Sequence, residues 1–579
     1  MKMIRRTIFI TLLIVIALVS AEAQENQGSS LQREVTLYNP YKPSLNVVRK
    51  RSFLPELKDT MQIKPEFSYE VNAEPFMPEY TVSPIKAAAL LPDPLPKLYK
   101  SYITAGLGTY LSPFGELSIT NERSKKGALG LYARHFSSNG KVKLENEEKV
   151  FAGYMDNDVS LFGKKFIKKS LFEGSVDFTQ KIRYAYGYDP DITGYIPEKD
   201  SVRMKYNNIG AKASLSSATL DSNNLSYDVN LSYDYFHHLK DFYQQQFRID
   251  GLFAKSVKEF YVGSGLDIEL YMPIPADSYS TENESIISIS PFVKKSNEQW
   301  HFKIGFEALR DRINEFHLYP DIDFGFNVIP SYLSFFTSLS GYLERNDPLK
   351  IVSDNPFLAN RKFFGDQPAA LLFGLPDTDH ELIISAGLKG NSGIGGNYLL
   401  SASYSMIQSM LFYSSLVSPN TALPRSMGNY FMFMSNPGEL LNIHGEMSGE
   451  ISDKLSFSGS ANFYNYSFGI TPWNKPSWDA MAGLDYNLRD KIVAGAELTA
   501  IGKRTNVING DYFSRNSGYI QKEIEMPSHF NLNLTAEYRY SKILSFWTRF
   551  NNIAFNDYYE WAYYPSQRFL FLVGFTYSL

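Results

Sequence analysis

The sequence predicts an all-β chain: a transmembrane antiparallel β-barrel of about 22 strands with short periplasmic turns, long extracellular loops and an N-terminal periplasmic arm. Three observations carry that expectation. Apolar and polar residues alternate with period two from Ser101 to the C-terminus, the connections between alternating runs are short and long by turns, and the chain opens on an export signal.

Lys2, Arg5 and Arg6 precede an apolar run over residues 8–19, and Ala21-Glu22-Ala23 has the A-x-A form of a cleavage site. Residues 1–23 therefore read as a signal peptide, with an apolar run too short to span a membrane. No later stretch is apolar over the ~18 residues that a spanning helix needs. Residues 24–98 contain ten prolines between Pro40 and Pro96, a density that excludes regular helix and central strand. They read as a Pro-rich periplasmic arm or reduced plug. Within this arm Glu34, Val35, Thr36, Leu37 and Tyr38 form a β-prone run that could add to the sheet edge of a partner or pack as a lead-in against its own barrel.

Residues 99–579 read as the barrel. Residues 102–109, 114–120 and 128–136 are its first expected strands. Later, Leu441, Ile443, Met447 and Ile451 alternate with Asn442, His444, Glu446 and Glu450, and Phe530, Leu532, Leu534, Ala536 and Tyr538 alternate with Asn531, Asn533, Glu537 and Arg539. Each such run has one apolar and one polar face. Alternation alone suits a half-buried soluble sheet equally well, so the connections arbitrate. Tight turns at 168–170, 256–259, 294–299, 391–396, 452–454, 489–491 and 541–543 take turns with long connections at 185–205, 272–284, 345–380, 410–439, 464–478, 503–528 and 552–567. Sorting by parity is what periplasmic turns and extracellular loops produce. The final run, residues 569–579, has Phe569, Phe571, Val573, Phe575, Tyr577 and Leu579 on one face, and closure requires it to pair beside residues 102–109.

Composition agrees. Aromatic residues make up 15% of the chain, with 40 Tyr and 42 Phe, as interfacial girdles demand. A net charge of -4 without a basic stripe argues against nucleic acid. No cysteine is present, which excludes disulfides, thiolate metal sites and lipoprotein acylation. No HExxH, P-loop or GxSxG occurs in a plausible context, so neither enzyme, cofactor nor metal is expected. His237 and His238 are adjacent and so point to opposite faces. Asp189 and Asp191 flank Pro190 and read as a solvated turn, and Trp473, Trp478 and Trp561 read as girdle residues beside long loops. The lumen-facing candidates are Asn442, His444, Glu446, Glu450, Asn531, Asn533, Glu537 and Arg539.

The closing pattern Asn551-Asn552-Ile553-Ala554-Phe555, followed by Tyr558-Tyr559 and the final aromatic strand, resembles the barrel of TonB-dependent receptors from Bacteroidetes. The run Ala482-Gly483-Leu484-Asp485-Tyr486-Asn487-Leu488-Arg489, the turn Ser452-Asp453-Lys454-Leu455 and Glu344-Arg345-Asn346-Asp347 add to the resemblance, which covers residues 101–579. It implies an outer-membrane protein that takes part in transport through a gated lumen. Family members carry a folded plug domain and a short TonB-contacting box ahead of the barrel; here only residues 24–98 precede it, and residues 34–38 match such a box poorly. The alternative is a non-transporting scaffold in the outer membrane that binds a lipoprotein or periplasmic partner.

Overall fold

The computed structural model describes residues 99–121, 126–189, 198–217, 224–238, 242–275, 283–358, 376–392, 395–418, 426–510, 520–554 and 558–579. The expected signal peptide, the Pro-rich arm and the run Glu34 to Tyr38 lie outside them, as does Asp191.

Twenty-two strands form one closed antiparallel ring, beginning with Ser101–Gly108 and ending with Leu570–Ser578. The seam joins these two in register from Tyr102↔Ser578 to Gly108↔Leu572, and the hydroxyls of Thr104 and Thr576 meet across it at 3.0 Å. Closure leaves no strand edge, the only way a sheet can satisfy its backbone where lipid offers no hydrogen-bond partner. The alternating pattern then places large apolar side chains on the exposed outer surface, among them Ile103, Leu107, Val573 and Phe575 at the seam. A ring that shows such a belt all round is a membrane wall, and bacterial barrels of this kind occupy the outer membrane.

The tight turns are built by residues in the left-handed region. Lys168, Lys258, Arg489 and Asp490 all have positive φ, between 52° and 56°, which lets a short connection follow the twist of its strands. At the seam, close approach selects glycine. A Cβ on Gly574 would stand 2.2 Å from the Ala105 carbonyl oxygen and 2.3 Å from the Trp547 ring.

Three long connections depart from the plain loops expected. Residues 410–439 are mostly the arms of an extended hairpin: Asn397–Ser418 and Ser426–Ser452 run 22 and 27 residues. Their pairing shifts between Ile407 and Met410, with Ser409 at positive φ, so the pair bends there as at a bulge. Residues 503–528 hold a second hairpin, Arg504–Gly510 with Ile520–Met526, whose first arm pairs in parallel with Ser415 to Val417. Residues 345–380 contain the helix Pro348–Asp354, started by Asp347, whose side chain accepts the Lys350 N–H at 2.9 Å, and by proline at its first turn. Among the described residues no helix is long and apolar enough to cross a membrane.

Candidate functional site

The largest buried apolar cluster lies in the long connections. Ala185 and Val202, Ile351 and Val352 of the helix, Phe357, Tyr413, Phe431 and Tyr564 pack together, although their parent strands are spread around the ring. The long loops therefore converge into one aromatic cap. The Phe357 and Tyr564 rings stack at 4.0 Å, and the Trp561 ring meets Phe431 edge-on at 5.2 Å and Tyr413 at 5.5 Å. Backbone polar groups inside the cap are matched by side chains: the Tyr564 hydroxyl donates to the Asn429 carbonyl, the Asn429 amide to the Ala185 carbonyl at 3.2 Å, and the Tyr186 hydroxyl to the Pro565 carbonyl at 2.8 Å. Trp473 is also buried, against Phe412 and Val507. The girdle role expected of Trp473 and Trp561 is thus corrected: Trp473 is a core residue of the loops and Trp561 packs, partly buried, against the aromatic cluster, whereas Trp478 is exposed on the wall. Loop packing of this kind pairs residues far apart in sequence, so alternation carries no sign of it.

Beside the cap lies a cavity of about 440 Å³ lined by polar side chains. Arg183 grips Asp156 in a two-pronged pair, at 2.7 and 3.2 Å, and Asn531, Asn533, Gln567 and Glu560 complete much of the lining. Glu560 lines this cavity: its surface is solvent-accessible, yet protein crowds it on most sides. Burial within the surrounding protein raises its carboxyl above the ordinary range, against the opposing pull of Arg183 and Arg504. Such a surface offers hydrogen-bond donors and acceptors of both kinds with little net charge.

The wall also anchors the helix-bearing loop at both ends. At the start, Arg345 lies 2.9 Å from Glu269, whose side chain is fully buried, and Arg248 reaches Asp267 at 2.5 Å and Glu269 at 3.3 Å. At the end, Arg312 lies 3.0 Å from Asp377; burial pushes this carboxyl up, and Arg312 opposes the shift. Neither pair was visible from spacing, because partners such as Asp156 and Arg183 become neighbours only once strand register is known. The donor atoms of Asp311, Glu315 and His317 also lie within 4.8 Å of one another. Both imidazole nitrogens of His317 already face carboxylates, Asp311 at 3.1 Å and Asp379 at 3.3 Å, an arrangement that holds the turn as it stands.

The eight polar candidates fall into two separate groups. Asn442, His444, Glu446 and Glu450 occupy the face of Ser426–Ser452 opposite the exposed Ile443 and Met447. His444 bonds Asn462 at 2.8 Å, and Asn462 donates to Asp479 at 2.9 Å, a chain across three strands. Asn531, Asn533, Glu537 and Arg539 occupy the face of His529–Arg539 opposite Phe530 and Leu534. Asn533 donates to Glu497 at 3.3 Å and accepts the Asn552 N–H at 3.1 Å, and Arg539 donates to Glu537 at 3.4 Å. Asn531 and Asn533 reach the cavity; the other six do not line it. His237 and His238 do diverge: His237 stacks on Tyr243, and His238 on Tyr206.

No protein-family model matches the chain, and no curated protein matches it. Solved structures do. The pyoverdine outer membrane receptor FpvA from Pseudomonas aeruginosa PAO1 superposes with a TM-score of 0.59 at 10% identity, covering 84% of this chain and 79% of that one. The ferric-catecholate import receptor Fiu from E. coli K12 gives 0.58 at 9% identity, covering 84% and 82%. The copper transporter OprC gives 0.57 at 12% identity, covering 84% and 81%. At such identities the likeness is one of fold, and the fold is the 22-stranded barrel of TonB-dependent receptors.

Proposed function

We propose that this protein takes part in transport across the outer membrane, through a lumen gated by the aromatic loop cap and by residues 24–98. The observation that carries the reading is the cap itself, a packed aromatic cluster drawn from loops around the ring, standing beside a polar cavity. In this reading Asn442, His444, Glu446, Glu450, Asn531, Asn533, Glu537 and Arg539 line the lumen, and the paired carboxylates and bases along it keep the passage polar without selecting one sign of charge. The structural neighbours support it, since their names describe a pyoverdine receptor, an import receptor and a copper transporter.

A second reading draws on the completeness of the cap's packing, which suits a barrel that stays shut. The protein would then be a non-transporting scaffold, with residues 34–38 adding a strand to a lipoprotein or periplasmic partner.

Single-channel conductance in a planar bilayer separates the two. The mature protein is expected to be closed, and a version lacking residues 24–98 to open a large, steady pore. If both stay closed, also when Trp561→Ala loosens the cap, transport is refuted and the scaffold reading stands.

A further inference from the structure

We infer that the loop-side rim of the wall carries a site for a divalent transition-metal ion of the zinc kind, with Asp311, Glu315 and His317 as its ligands. The donor atoms of these three lie within 4.8 Å of one another. Asp311 and Glu315 bound the turn between the strands Trp300–Arg310 and Phe316–Ile329, and His317 is the second residue of the latter. Phe316 and Leu318 stand on the outer surface, 84% and 70% exposed, so the period of two turns His317 inward.

Two of the ligands are already oriented. Asp311 accepts the Ile313 and Glu315 N–H groups through Oδ1, at 3.0 and 2.8 Å, which leaves Oδ2 to face His317 Nε2 at 3.1 Å. Asp379, on the strand Thr378–Asn391, stands 3.3 Å from His317 Nδ1 and accepts the Tyr319 hydroxyl at 2.8 Å. A carboxylate behind an imidazole keeps the proton on the nitrogen it faces and presents the other nitrogen's lone pair, as carboxylates do beside histidine ligands. Here that lone pair points at the Asp311 oxygen. A cation between the two atoms relieves their repulsion.

The charge balance calls for more than a proton. Among the described residues no lysine or arginine pairs with Asp311, Glu315 or Asp379, and Arg312, next in the chain, is turned to Asp377 at 3.0 Å and Glu284 at 3.8 Å. Three carboxylates and one imidazole are left to one another. A dication answers this excess and also engages Glu315, whose exposed side chain can swing to complete the set and gives the ion a way in. One nitrogen and two carboxylate oxygens fit zinc at ~2.0 Å with the fourth position left to water, whereas calcium and magnesium prefer oxygen alone. Through Asp379 the ion would fasten the turn to the strand on which the helix-bearing loop re-enters the wall. The site does not depend on whether the lumen conducts.

The test uses the full mature protein in detergent, stripped with a chelator and titrated calorimetrically with zinc chloride in excess magnesium and calcium. One equivalent should bind per chain. Glu315→Gln, at an exposed side chain, should weaken binding about tenfold or more, and Asp379→Asn, which removes only the orienting carboxylate, about tenfold to a hundredfold. His317→Gln should remove it, whereas His301→Gln, which breaks a separate histidine–aspartate pair, should leave it unchanged. Cobalt in place of zinc should give visible absorption bands that change in Glu315→Gln. If His317→Gln does not fold, Glu315→Gln and the cobalt spectrum still decide. The inference is overturned if the wild type takes up no zinc under these conditions, since a second proton on His317 then suffices, or if Glu315→Gln and Asp379→Asn both bind as the wild type does, since the zinc is then held elsewhere.

Discussion

At the scale of single residues, two acids stand out: Glu560 at the polar cavity and Glu269 inside the wall. Glu560 is held above the ordinary carboxylate range mainly by burial. An acid whose folded pKa is raised contributes its stability fully below the unfolded value, about 4.3, and loses that contribution as pH rises through the folded one. The wild type minus Glu560→Gln difference in melting temperature should therefore turn against the wild type between pH 4 and pH 8, a comparison that cancels the other acids. Glu269 is a fully buried acid next to Arg345 and Arg248. Arg345→Ala should cost ~3–5 kcal/mol, because one partner of a buried pair is removed and the other stays. Adding Glu269→Gln should recover part of it, a coupling that denaturant titration of the four proteins would measure. Nothing in the local sequence singles out Glu269, since its partners come from another strand and from a distant loop.

At the scale of elements, the extended hairpins turn loops into a second layer of structure. The inserted hairpin Arg504–Gly510 with Ile520–Met526 is tied to its neighbour by the buried Asn506, which donates to Ser415 at 2.8 Å and accepts from Asn474 at 3.0 Å. Asn506→Leu leaves those partners unsatisfied, at a cost of ~1–3 kcal/mol. Limited proteolysis should then cut within residues 503–528 faster than in the wild type, while the wall keeps its heat-resistant gel mobility. Equal cutting would mean that the hairpin is held by its backbone pairing alone. The rhythm of short and long connections was readable in the sequence because turns and strands differ in composition. The strands inside residues 410–439 and 503–528 were not, since a short β-prone run in a polar loop forms a strand only when another loop supplies its edge.

At the scale of the whole molecule, closure is the decisive event, and it depends on contacts at the seam. Gly106 and Gly574 both lie against the Trp547 ring, which packs with Phe114, Leu570 and Leu572. Gly574→Val places a branched side chain against a backbone oxygen that cannot yield, so the ring should fail to close and lose its heat-modifiable mobility on semi-native gels. Gly115→Val is the control: a Cβ there meets nothing within 4 Å, and the barrel should form normally. A closed ring in the Gly574→Val protein would show that the seam relaxes more than its packing suggests.

By itself the sequence determined the wall: the period of two, the parity of the connections, the strand number and the pairing of the last strand with the first, all of which follow from local patterns and from lipid's inability to satisfy an open edge. Only the tertiary structure decided how the long loops pack together and what the polar positions touch. Trp561 meeting Phe431, Arg345 meeting Glu269, and His317 meeting Asp379 all depend on strand register and loop convergence. Those contacts link residues from separate strands and loops, where periodicity along one strand carries no information.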